Sequence, residues 1–159
     1  MTAISRLKRG FTRMDFGKLS TGMKIALISG VVLIINLFLP WYRVDFGIGS
    51  VSANAFDAGF LAWFGSLLAI GGAVVLLLKA LGTTEVNAGP LKTEQLAFLL
   101  GAAGVVLVLL RLITETNSMY LGLFLGILAS AGVAYGSFME MKSHGMDLDD
   151  FKSLGGNDE

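Results

Sequence analysis

The chain alternates four long apolar runs with short polar stretches. The runs extend from about Met23 to Leu39, Ala58 to Leu78, Gln95 to Leu110 and Met119 to Phe138, and no charged residue lies in their interiors, Lys24 sitting at the edge of the first. Each is roughly 16 to 21 residues, close to the length a helix needs to cross a hydrocarbon core. A helix on the surface of a water-soluble protein shows an apolar stripe beside a polar face. These four runs are apolar all round. The pattern predicts an all-α membrane protein, an antiparallel bundle of four transmembrane helices over 23–39, 58–78, 95–110 and 119–138. The third run is the shortest and is expected to borrow Leu91 or flanking residues, or to thin the bilayer locally. Ala53-Asn54-Ala55 offers a small-residue cleavage site, but Pro40, Trp41 and Tyr42 separate it from the first run, which therefore reads as a span rather than a signal peptide.

The flanks and loops carry the other patterns. In segment 1–22, Ile4, Leu7, Phe11 and Met14 share one helical face and Arg6, Arg9 and Arg13 fall on the opposite one. Such a helix can lie in the interface of the inner leaflet, apolar side down, with its arginines among anionic headgroups. It can equally be a basic stretch that only sets topology. Between the first two runs, Tyr42, Val44, Phe46 and Ile48 alternate with Arg43, Asp45 and Gly47, a period-two pattern that fits a short strand or hairpin. This loop reads either as a lid over the helix ends or as a ligand or partner surface. The stretch 79–94, with Gly82, Thr83, Thr84, Asn87, Gly89 and Pro90, is a turn-rich connection. The tail 139–159 is acidic and reads as disordered when alone; Leu148 and Phe151 among its acids offer a short docking motif.

Charge fixes the orientation. Basic and acidic residues balance at 12 each, so no net field recruits nucleic acid. Their distribution is uneven. With four spans, Arg6, Lys8, Arg9, Arg13, Lys18, Lys24, Lys79, Lys92, Lys142 and Lys152 share one side, and only Arg43 and Arg111 the other. The bias places both termini in the cytoplasm of a multi-pass cell-membrane protein. Trp41, Tyr42 and Tyr120 then sit at the outer interface, where amphipathic rings are favoured.

Composition agrees and narrows the chemistry. Hydrophobic residues make up 54% and charged residues 15%, against about 25% charged in an ordinary soluble domain, and the mean hydropathy is +0.72. There is no cysteine, and the one histidine is His144 in the tail. Disulfides, thiol chemistry, a bis-histidine haem and a multi-histidine zinc site are excluded. No histidine stands in a span to serve a nucleophile, and no glycine-rich phosphate loop occurs. The expectation is a protein that is not an enzyme and holds no cofactor.

What remains is packing and a few polar positions. Gly122, Gly126, Ser130 and Ala134 recur every four residues, Gly132 and Gly136 form a second pair, and Gly65 and Ala69 (continuing to Ala73) mark the second run, with Ala97 and Gly101 in the third. Small residues at this spacing let helices approach closely, within one chain or between partners. Asn36 is the most polar residue inside a span, suited to an interhelical hydrogen bond. Arg111 and Glu115, four apart, can pair on one helix face; with Arg43 and Asp57 they complete a candidate polar site.

Leu39-Pro40-Trp41-Tyr42, Asn54-Ala55-Phe56, Leu110-Arg111-Leu112-Ile113 and Tyr120-Leu121-Gly122 together resemble a set of uncharacterised small four-helix integral membrane proteins of bacteria, of the actinobacterial type, over about Thr21 to Phe138. The resemblance implies membrane location and four helices, and brings no activity. The leading functional expectation is an accessory or scaffold subunit that associates with itself or another membrane protein. The alternatives are an oligomeric channel or transporter for an ion or small solute, using Asn36, Arg111 and Asp57, and a lipid-binding stress protein using the N-terminal helix.

Overall fold

The computed structural model describes residues 2–82 and 85–156. Thr83 and Thr84 of the turn-rich connection, and Asn157-Asp158-Glu159 at the end of the tail, lie outside the described residues. Within them run α1 (Ala3–Arg13), a single 3-10 turn (Phe16–Lys18), α2 (Thr21–Asn36), the strands β1 (Tyr42–Asp45) and β2 (Ser50–Ala53), α3 (Phe60–Ala80), α4 (Thr93–Thr114), α5 (Leu121–Ser143) and α6 (Asp149–Gly155).

Local chemistry sets the helix ends. Ser20 caps α2, its hydroxyl accepting from the backbone N–H of Met23 at 3.1 Å. The helix closes through tight turns at Phe38 and Leu39, because Pro40 disfavours helical backbone at the residue before it. The Gln95 side chain accepts from the Lys92 N–H at 3.0 Å and opens α4. Gly145 ends α5 in the left-handed region (φ 73°), and the Met146 N–H reaches back to the Met141 carbonyl at 3.2 Å, a Schellman closure.

The helices extend beyond the apolar runs. α4 runs past 95–110 at both ends, from Thr93 to Thr114, and so takes in flanking residues that include Glu94 and Arg111. The last helix continues beyond Phe138 through Glu140 and Lys142 to Ser143, so the expected tail boundary falls inside α5. The tail is not wholly irregular either: α6 forms, and the Phe151 ring lies 6.2 Å from that of Phe98 on α4.

The four main helices run antiparallel. α3 packs most extensively on α4 and α2 on α5, with α4 against α5; the α2–α3 side is the most lightly closed. α3, α4 and α5 are long and apolar enough to cross a membrane, and α2 is a shorter apolar helix. Ile28, Val31, Ile35, Leu121 and Leu128 are exposed around the bundle, the surface of a protein that faces lipid rather than water. One end of the bundle gathers Ser20, Lys79, Glu94 and Glu140 and is called here the termini end. The other carries the antiparallel β1–β2 hairpin, in register Tyr42 with Ala53 and Val44 with Val51, so the alternation expected between Tyr42 and Ile48 is realised as a strand and its turn.

Candidate functional sites at the two ends of the bundle

At the termini end, buried charge joins the helices. Lys79, in the last turn of α3, forms an ion pair with Glu94 in the first turn of α4; their side chains are 20% and 6% exposed. Glu140 on α5 is also buried and accepts a hydrogen bond from the Ser20 hydroxyl at the start of α2. His144 completes the group. Its Nδ1 lies 2.9 Å from the Glu140 carbonyl oxygen and its Nε2 lies 3.2 Å from Lys79 Nζ. An ammonium can only donate, so at this contact Lys79 is the donor and the ring nitrogen the acceptor. The ring also stands 3.8 Å from the carboxylates of Glu94 and Glu140. A cavity of about 480 Å³ opens beside this cluster, lined by Lys79, Glu94 and His144 together with Glu85, Lys92 and Thr93.

The arrangement can hold charge and fix helix ends. Among the described residues, no three histidine, aspartate or glutamate side chains come together in a way that could hold a metal ion. Burying a charge is tolerable only when it is paired and hydrogen-bonded, and each member here has a partner on another element. In the sequence Glu94 falls in the connection 79–94 and Glu140 and His144 in the tail 139–159, separated by two apolar runs. The signal available was the Glu140–His144 spacing of four, which puts both on one face of a helix.

At the hairpin end the chemistry is aromatic. Trp41 is fully buried and its indole Nε1–H donates to the Asn36 carbonyl at 3.0 Å. Tyr42 is buried beside it. The Arg111 guanidinium lies over the Tyr42 ring at 5.2 Å and reaches Glu115 at 3.9 Å. Arg43 lies over Tyr120 at 5.6 Å, with Asp45 at 3.3 Å and the Ser50 hydroxyl at 2.9 Å. Burial pushes the Tyr42 hydroxyl above its ordinary pKa, against the lowering influence of Arg111, while the Glu115 charge adds to the rise. The hydrogen bond that the Arg43 guanidinium donates to the Asp45 carboxylate raises the Arg43 pKa above its ordinary value.

The expected polar site is only partly assembled. Arg111 and Glu115 meet as their spacing predicts. Asn36 is fully buried between α2 and α5, its amide without a hydrogen-bond partner among the described residues. Asp57 stands exposed on the loop, beside a turn in which the Asn54 side chain accepts from the Phe56 and Asp57 N–H groups.

The small residues are engaged inside the chain. A Cβ on Gly136 would strike the Gly22 carbonyl and the Ala26 nitrogen across α2, and one on Gly132 would strike Ser29. Gly122 faces Pro40 and Trp41, and Gly126 faces Asn36 and Trp41. Gly65 and Ala69 meet Gly104 on α4, and Gly101 meets Ala134. Ser130 is buried, its hydroxyl donating to the Gly126 carbonyl at 2.7 Å. In the N-terminal helix, Arg6, Arg9 and Arg13 are exposed, while Leu7, Gly10 and Met14 are half-buried. Gly10 rests near Leu81 at the end of α3.

The chain matches no protein-family model, no curated protein and no solved structure.

Proposed function

We propose that the chain crosses the membrane four times with both ends in the cytoplasm, and that it works without catalysis as an accessory or scaffold subunit, associating laterally with itself or another membrane protein. Support for the fourth span comes from α2. Its 16 residues rise about 24 Å, the turns to Pro40 lengthen it, and it lies along α5 from Gly22 at one end to Asn36 at the other. The basic bias favours the termini end as the cytoplasmic one, and the resemblance to small four-helix bacterial membrane proteins fits the same span number.

The observation that carries lateral association is on the α4–α5 face. The glycine stripes are used within the bundle, but a shallow apolar depression of about 510 Å³ remains outside it, between Phe98, Ala102 and Val106 on one helix and Ala131, Tyr135 and Phe138 on the other. Small residues floor it and aromatic rings flank it, a shape that admits another helix. Tyr135 is 58% exposed here, and no hydrogen bond engages its hydroxyl among the described residues. A phenol on a lipid-facing wall is more stable with a polar partner.

A photo-crosslinking side chain placed at Ala131 in the native membrane tests this. Discrete protein adducts, lost in Ala102→Phe, are expected. Adducts to lipid alone, with a monomeric mass in native mass spectrometry, would overturn the reading.

A further inference from the structure

The lightly closed α2–α3 side of the bundle holds an apolar slot of about 260 Å³. Leu27, Val31 and Ile34 form one wall from α2, and Val74 and Leu77 form the other from α3. Gly30 and Ala73 make its floor, where the two helices approach so closely that a Cβ on Gly30 would meet that of Ala73 at 2.5 Å. Phe11, Met14 and Phe16 close it at the termini end. All the lining residues are apolar, and Val31 and Val74 are 57% and 42% exposed, so the slot opens sideways.

Basic residues adjoin the residues of the closed end along the chain. Lys24 stands three residues before Leu27 and seven before Val31, on the same stripe of α2 and one turn nearer the termini end. It makes no ion pair among the described residues. Arg13 precedes the lining Met14, and Lys18 follows Phe16 by two. Between residues 2 and 24 there are six basic side chains and one acid, Asp15. An apolar groove along the helices whose closed end is flanked in the chain by basic residues has the polarity of one amphiphile: acyl chain in the slot, anionic headgroup among the basic residues.

We propose that the α2–α3 slot is a binding site for one acyl chain of an anionic phospholipid of the inner leaflet, with Lys24, Lys18 and Arg13 as its headgroup contacts. The proposal rests on the membrane-embedded reading and is independent of the α4–α5 face. A lipid seated here fills the gap that α2 and α3 leave and ties the N-terminal helix to the bundle by charge.

The test uses the full chain reconstituted in phosphatidylcholine vesicles with a trace of phosphatidylglycerol carrying a diazirine on its acyl chain, and in parallel the same label on phosphatidylcholine. Adducts are mapped by mass spectrometry. The expected result is that phosphatidylglycerol adducts concentrate on Val31, Ile34, Val74 and Leu77, above Ile113 and Leu128 elsewhere on the bundle. Each of Lys24→Gln and Lys18→Gln should lower the preference for phosphatidylglycerol by up to about fivefold. Val31→Trp with Val74→Trp, at exposed positions that leave the core intact, should abolish the concentrated adducts while labelling at Leu128 persists. Labelling that is even around the bundle, or equal for the two headgroups, would overturn the proposal. So would protein–protein adducts from a photo-crosslinker at Val31, which would make the slot an interface between helices; because that readout is at α2, it is separable from the outcome at Ala131.

Discussion

The two ends of the bundle solve the same problem with different chemistry. At each end, polar groups must be hidden or satisfied where helices leave an apolar layer. The termini end uses charge: Lys79 with Glu94, Glu140 with Ser20, and His144 between them. The hairpin end uses rings: Trp41 caps the α2–α5 contact, and Arg43 and Arg111 each lie over a tyrosine. The termini end is therefore held by few, strong and unforgiving contacts, because a buried ion that loses its partner is stranded. The hairpin end is held by area and weaker polar contacts, and should degrade gradually.

The largest effect should come from stranding a charge. Lys79→Met leaves the nearly buried Glu94 carboxylate without its cation, and breaking a buried pair in this way costs about 3–5 kcal/mol. Denaturation in detergent, followed by circular dichroism, measures it. The double variant Lys79→Met with Glu94→Leu should recover most of the loss, since apolar replacement of a buried pair is often neutral. If the single and double variants were equally destabilised, the ionic account of this end would be wrong.

A smaller loss is expected from Gly136→Ala, also near the termini end but steric in origin. The added methyl meets the Gly22 carbonyl and Ala26 nitrogen, backbone atoms that cannot turn aside, and overpacking of this kind costs about 1–3 kcal/mol. Gly71→Ala on α3, whose added methyl would meet only Leu100 at 3.8 Å, serves as the matched control and should be neutral or slightly stabilising. Equal losses at the two sites would mean that close approach of α2 to α5 is not what Gly136 provides.

The same contrast explains what could be read from the sequence. Long apolar runs announce helices because lipid-facing and core-facing positions are both apolar, and the alternation from Tyr42 to Ile48 announces the hairpin. Helix ends are harder to place. A charge beside an apolar run looks like a boundary, yet Glu94, Arg111 and Glu140 all lie within helices because partners elsewhere in the chain compensate them. The four-residue repeats of α5 announced close packing but not its partner: Gly136 could have faced another molecule as well as α2. The cluster at the termini end was least legible, since Ser20, Lys79, Glu94 and Glu140 are separated by whole helices and only the fold brings them together. Lys24 shows the converse. Its place on the α2 stripe is plain in the sequence, but the slot beneath that stripe exists only once α3 and the N-terminal segment are in place.

The smallest expected effect is at Tyr42 and is visible only at high pH. Its hydroxyl titrates above the ordinary value because burial disfavours the phenolate, so the folded state holds the proton more tightly than the unfolded chain. The stability this contributes is fully present below the unfolded value of about 10 and is lost as pH rises through the folded one. Tyr42→Phe keeps the ring under Arg111 and removes the titration. The two proteins should therefore unfold with a constant difference up to about pH 9, and above that the original should lose stability faster than the variant. Arg111→Gln in the Tyr42 background sharpens the result. Without the guanidinium to favour the phenolate, the hydroxyl should titrate higher still, so the stability loss, which still begins at the unfolded value, should continue to higher pH and become larger than in the original protein. Parallel curves for the original and Tyr42→Phe from pH 8 to 11 would show that burial of this hydroxyl is not what separates the hairpin end from water.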